Sequence, residues 1–291
     1  MVLKNNTCPY CGVELGATDS TREHLVGRRF VPKGKLHQSW NLILRACKRC
    51  NNRKSELEDD LSALTMQPDV VGRYAQDDPD LRREAERKGS RSISRRTRKP
   101  IGNSAESLTL RGSPMPGLTM EVTLVGPPRA EPERVFELAR LQLSGLFYWI
   151  TFDRALRRGG FWLGGFFPLQ FSSRGDWGNK LNRAFMTAAF AWHDRLLVGT
   201  TGGFFKAAIK RHPAAVCWSW ALEWNRSLRV IGFFGEEGDV RSVAGELPSL
   251  EHQVLQGNEG ILRLRTETAL ADTDDVLFSF ARDAETTIAQ A

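Results

Sequence analysis

The chain has 291 residues, enough for one small and one medium domain with a core apiece, and its 41% hydrophobic and 26% charged side chains exclude a disordered or collagen-like protein. The longest apolar-rich stretch, residues 159–173, is too short and too rich in Gly and Pro to cross a bilayer. The polar Lys4 to Thr7 stand where a signal peptide would be apolar, so the expected compartment is the reducing cytoplasm, with no membrane partner. The net charge of +7 is uneven: residues 1–55 hold eleven Lys or Arg against three acids, residues 56–81 one against eight, residues 82–99 nine against two, and the rest is nearly neutral, so a phosphate-rich partner would be drawn to the first 99 residues.

In chain order, Cys8 and Cys11 form one Cys-x-x-Cys knuckle, and Cys47 and Cys50 form a second. Two knuckles supply the four thiolates of a closed tetrahedral zinc site, whereas a thioredoxin-type redox pair needs only one. The fifth cysteine, Cys217, stands among Ala, Val and Trp and reads as core. Between the knuckles lie 35 residues, more than a plain zinc ribbon uses. They carry Thr21-Arg22-Glu23-His24-Leu25-Val26, a basic turn with Arg28, Arg29, Lys33 and Lys35, and Trp40-Asn41-Leu42-Ile43-Leu44. After Cys50 come Asn51-Asn52-Arg53-Lys54, and Leu57, Leu61 and Leu64 at helical spacing predict a helix that ends before Pro68.

Residues 67–117 contain the tract RREAERKGSRSISRRTRKP and read as a flexible or only partly helical connector. Its arginines, Arg95 and Arg96 among them, suit a nucleic-acid clamp, with a solubilising linker as the plainer reading. From residue 118 the pattern predicts a strand to Val125, a long amphipathic helix over 132–157, one or two strands within 161–171 and a helix over 180–195. Strands at 204–209, 216–224, 228–234 and 261–265 follow. The expected class is α+β with a mainly antiparallel sheet. Seven of the eight tryptophans lie here. Trp218, Trp220 and Trp224 share strand parity and predict a core face; an aromatic cage for a flipped base is the alternative.

Over about residues 7–60 the knuckles, the Glu23-His24 pair, Asn41 and Asn51 together resemble the HNH endonuclease family of ββα-metal nucleases, in its four-cysteine branch. The resemblance implies a small ββα head in which His24 is the general base and Asn41 ties the hairpin loop to the backbone. It implies Glu23 and Asn51 as ligands of a catalytic Mg²⁺ or Mn²⁺, beside a structural Zn²⁺ held by Cys8, Cys11, Cys47 and Cys50, and Lys54 as a phosphate contact. Arg28, Arg29 and Lys33 suit further phosphate contacts. Asn51 also suits a helix N-cap, and His37 reads as a loop residue. The expected organisation is a head over 1–66, the connector over 67–117 and a recognition or sensing domain over 118–291.

The expected function is a metal-dependent endonuclease, acting on double-stranded DNA before other substrates, in a restriction or phage-defence setting that rests on analogy. A non-catalytic zinc module binding nucleic acid or protein and an RNA-directed nuclease are the alternatives. A homodimer, and a partner protein or small-molecule signal at residues 118–291, stay open.

Overall fold

A computed structural model describes residues 1–33, 41–69, 72–74, 77–115, 117–162, 164–200, 202–257 and 260–279. Lys35, His37 and Trp40 lie outside the described residues. Strands β1 (Ser20–His24) and β2 (Ile43–Cys47) pair antiparallel, His24 opposite Ile43, and helix α1 (Lys48–Leu64) starts directly from β2. The Cys8 knuckle packs beside this ribbon in a tight turn: Gly12 donates its N–H to the Cys8 carbonyl at 2.9 Å, with the positive φ of 74° that glycine adopts without strain.

The described residues of the expected connector include a helix and a strand. Helix α2 (Pro79–Arg91) begins where the Asp78 carboxylate accepts from the N–H groups of Asp80 and Leu81 and Pro79 occupies the first turn; Lys88 and Arg91 close its last turn. Strands β3 (Glu106–Met115) and β4 (Leu118–Gly126) form a hairpin that straddles the boundary expected near residue 117. Helix α3 (Pro132–Ile150) stops seven residues before the end its apolar spacing predicts. Asp153 draws the N–H groups of Ala155 and Leu156 into a turn, and Gly159 packs so tightly on Tyr148 that a Cβ there would lie 2.1 Å from the Tyr148 carbonyl oxygen.

The body is a five-stranded antiparallel sheet in the order β5-β9-β8-β7-β6. Its strands are β5 (Gly165–Ser173), β6 (His193–Gly199), β7 (Phe205–Arg211), β8 (Cys217–Trp224) and β9 (Leu228–Gly235). The mixed α+β class with a mainly antiparallel sheet is therefore what the chain forms. Both faces of the sheet are covered, which is why β8 and β9 read as nearly unbroken apolar runs. Trp220, Leu222 and Trp224 face α3, and Trp218 lies partly buried along the same face. Cys217, Ala221, Ile231 and Phe233 face helices α4 (Lys180–Phe190) and α5 (Glu237–Gly245). The helix expected over 180–195 gives way at Phe190 because His193 onward joins the sheet edge as β6. A last hairpin pairs β10 (Gln253–Gly257) with β11 (Gly260–Leu264). No helix among the described residues is long and apolar enough to cross a membrane.

The hairpin and α1 share one core with the body. Leu25, Phe30, Leu44, Leu57 and Leu61 belong to the same buried cluster as Leu138, Leu146 and Trp224. At the crossing of α3 with Leu25 the helix carries Gly145, where a Cβ would meet Leu25 Cδ1 at 2.5 Å. Polar ties run alongside: Arg134 holds Asp60 through two bonds of 2.7 and 3.1 Å, and the hydroxyls of Thr7 and Tyr148 meet at 2.9 Å. The turn joining β8 to β9 inserts from the other side. Asn225, buried with φ 52°, donates its amide to the Phe30 carbonyl at 3.2 Å and to Thr65 Oγ1 at 2.8 Å.

Candidate functional site

Cys8 and Cys11 come from the knuckle turn, Cys47 from the end of β2 and Cys50 from the first turn of α1. All four Sγ atoms lie within 4.8 Å of one another, and those of Cys11 and Cys47 are 3.7 Å apart. Four thiolates about 2.3 Å from one zinc ion stand about 3.8 Å apart in a tetrahedron, so the cluster is sized to hold a metal such as zinc. Burial pushes the Cys8 thiol up to about 11 and that of Cys50 higher still, with the neighbouring cysteines adding to the rise. Burial alone would push the Cys47 thiol up, but hydrogen bonds from Cys50, Cys11 and Cys8 outweigh it and hold the thiol below its ordinary value, and a bound cation favours the thiolate form of the set. Cys217 is buried on the far side of the sheet, where its thiol is pushed up to about 12, burial being the larger cause and Asp239 the smaller.

His24 and Glu23 are adjacent strand residues and point to opposite faces of the β-ribbon. His24, the last residue of β1, opens onto a cleft of about 760 Å³ between the ribbon, α1 and α2. Arg28 Nε donates to His24 Nε2 at 3.4 Å. Partial burial first, then the charges of Arg28 and Arg22, hold the imidazole below its ordinary pKa, so it is neutral at pH 7. Asn41 lines the same cleft. Its Oδ1 accepts from the Val26 N–H at 3.2 Å and its Nδ2 donates to the Val26 carbonyl at 2.8 Å, which pins the chain immediately after His24.

Glu23 lies on the inner face and is buried. Its Oε1 is 2.8 Å from Lys54 Nζ and accepts the Tyr10 hydroxyl at 2.9 Å. Lys54 Nζ also reaches Glu58 Oε1 at 2.6 Å and donates to the His24 carbonyl at 3.1 Å, and Glu58 accepts the Gly27 N–H at 3.0 Å. Although burial alone would pull Lys54 down, Glu58 and Glu23 hold its ammonium above its ordinary range; burial pushes Glu58 up despite Lys54. Two of the expected roles need correction. Lys54, 1% exposed, cannot be a phosphate contact as it stands; it neutralises two buried carboxylates. Glu23 is engaged as a counter-ion of Lys54, on the face away from His24.

Asn51 sits on the inner side too, with its amide donating to Thr21 Oγ1 at 2.7 Å. It does not cap α1, whose N-terminal cap is Cys47. The fit of a hard cation can be judged on these atoms: Glu23 Oε1 is held by an ammonium and a phenol, which places a positive charge where the cation would have to sit, and the Asn51 amide is oriented by its nitrogen's bond to Thr21. This arrangement does not fit a Mg²⁺ or Mn²⁺ held by Glu23 and Asn51.

The predicted cationic contacts divide. Arg28, Arg29 and Lys33 line the cleft beside His24. Arg95 is exposed on a neighbouring cavity of about 540 Å³ that Arg28 and Arg29 also border. Arg96 pairs with Glu106 and lines neither cavity. The structure adds three cations whose individual placement the sequence reading missed: Arg87, Lys88 and Arg91 of α2. Their signal was present in the spacing, because 84, 87, 88 and 91 follow the i, i+3, i+4, i+7 rule of one helix face. In the body, Trp220 and Trp224 are core, Trp224 donating its indole N–H to Gln142 at 2.9 Å, and Trp177 stacks 3.9 Å under the buried Arg229. These rings are packed rather than arranged as an open cage. Comparison with protein-family models, curated proteins and solved structures finds no match to the chain.

Proposed function

We propose that the protein is a zinc-stapled endonuclease of the HNH type, hydrolysing phosphodiester bonds of nucleic acid, duplex DNA first, in the cleft beside His24. The observation that carries this reading is a half-buried histidine, its pKa held below the ordinary value, opening onto a cleft lined by six cationic side chains and two acidic ones. A neutral imidazole takes the proton of a water as its oxygen attacks phosphorus. The bond to the 3′ oxygen then breaks, and that oxygen takes a proton from solvent. Arg28, already at His24 Nε2, brings fixed positive charge to the place where negative charge grows on the phosphate. Asn41 keeps the histidine's segment in position through the Val26 backbone. No step is assigned to a divalent ion, because Glu23 is engaged by Lys54.

That engagement favours a second reading, a nucleic-acid-binding zinc module without catalysis. Purified protein is therefore incubated with plasmid DNA, base-modified DNA, single strands and RNA, with Mg²⁺, with Mn²⁺ and with neither. The expected result is cutting by the parental chain whose loss on acidification sets in at a lower pH than for an ordinary histidine, since burial and Arg28 lower the His24 pKa, and a loss of several orders of magnitude in His24→Ala with binding retained. Cutting by His24→Ala at the parental rate defeats the assignment, and failure to cut any substrate under all three conditions leaves the binding module.

A further inference from the structure

Helix α2 lies beyond the stretch that carries the family resemblance, and the cleft it borders needs a second wall. Three observations bear on what that wall does. First, α2 is locked in place rather than tethered. Lys88 is buried, and its ammonium donates to the Arg29 carbonyl and to Ser62 Oγ, the latter at 2.8 Å, which joins α2 to the basic turn and to α1. Second, the helix face presented to the cleft carries Arg87 and Arg91. Arg87, half-exposed, is held by Glu84 of its own helix through a forked pair of 2.6 and 3.0 Å, and a phosphate would take the place of that carboxylate in the same two-bond geometry. Third, the charge lining the cleft is one-sided: Arg28, Arg29, Lys33, Arg87, Lys88 and Arg91 against Asp59 and Glu84. A cavity of that balance suits a polyanion and disfavours a neutral or cationic ligand.

We infer that α2 is the fixed second wall of the His24 cleft, with Lys88 as its anchor and Arg87 and Arg91 as the grip on the phosphates of a nucleic-acid strand. This rests on the proposed reading of the cleft for the identity of the polymer. The spacing agrees. Four residues of helix separate the two arginines by about 6 Å along the axis, and a stacked strand advances about 3.4 Å per phosphate, so they bracket roughly two phosphate steps. Arg82, which pairs with Asp77, and Arg83, which pairs with Asp80 at 3.2 Å, stand on the same helix but do not line the cleft, and Arg96 pairs with Glu106. Arg87 and Arg91 therefore account for two phosphate contacts on the wall of the cleft.

The test is the salt dependence of binding by the full-length, zinc-loaded chain to a fluorescent duplex of about 20 base pairs, without added Mg²⁺ or Mn²⁺, from about 50 to about 300 mM salt. Arg87→Gln/Arg91→Gln should flatten the slope of log K against log salt by about 1.8 and weaken binding about 60-fold at about 0.1 M salt, two contacts at about 0.9 each. Arg82→Gln/Arg83→Gln removes the same charge from the same helix and should leave the slope unchanged. An unchanged slope in the first variant, or equal flattening in both, overturns the inference. If the first variant flattens the slope as expected but the parental chain cuts nothing with either metal, the wall stands and the catalytic reading falls.

Discussion

Lys54 shows how a residue can mislead when its neighbours in space are unknown. It follows the second knuckle in a basic run and reads as a surface cation, yet it is the ammonium on which Glu23, Glu58 and the His24 carbonyl converge. Replacing it with Met removes the only cation of that triad and leaves two buried carboxylates facing each other. Lys54→Met should lower unfolding free energy by about 3–5 kcal/mol, the usual cost of breaking a buried ion pair, read from denaturant midpoints at unchanged m value. A loss below about 1 kcal/mol would mean the pair is solvated and Glu23 is available to a cation. The clustering of the four cysteines was legible because two knuckles leave few other uses, and the proximity of His24 and Asn41 in one cleft was legible from the motif around them. Glu23 was not, because a motif is written along the chain while a strand sends neighbours to opposite faces.

Among the elements, α2 departs furthest from the sequence reading. Its charge density suggested a tether, but a helix needs only one apolar seam and good ends, and Asp78, Pro79, Lys88 and Arg91 supply the ends. Asp78→Ala should cost about 1 kcal/mol of stability. It should also weaken nucleic-acid binding, since a frayed α2 presents Arg87 and Arg91 poorly. Circular dichroism with anisotropy on the same samples checks both, and a stable variant with parental affinity would show that the cap is dispensable. The start of α3 was readable from Pro132 in its first turn, whereas its end was set by the turn at Asp153 and by glycines packed on Tyr148, which apolar spacing does not report. Helix α5 and strand β10 are short and carried too little periodicity to be predicted.

For the molecule as a whole, the shared core changes what metal removal should do. A head on a tether would unfold alone, leaving the body intact. Here Leu25, Phe30 and Leu57 pack in one cluster with α3 and the sheet, so melting the N-terminal part strips one face of the body as well. Structural zinc is worth roughly 10 kcal/mol or more in small modules, against a total stability of about 5–15 kcal/mol for a typical domain. Cys47→Ser should therefore shift the unfolding seen by tryptophan fluorescence, which reports on the body, together with that seen by far-ultraviolet dichroism. An unmoved fluorescence transition would restore the two-domain picture drawn from composition. Composition could not report the shared cluster for a physical reason: the charge steps at residues 56, 82 and 100 mark changes of surface, and surface composition does not record which buried faces are shared.

The buried turn at Asn225 carries a consequence for how such a chain can be rearranged by recombination. Its side-chain amide closes on the Phe30 carbonyl and Thr65 from a distance of 195 and 160 residues, so the N-terminal piece is completed by a part of the gene translated long after it. A module of this kind cannot be lifted out and grafted onto another partner, as a self-contained cassette could. Swapping would have to carry the β8–β9 hairpin along, and diversification is confined to exposed positions such as those on α2 and in the connecting loops, where a new sequence changes what is gripped without unmaking the fold.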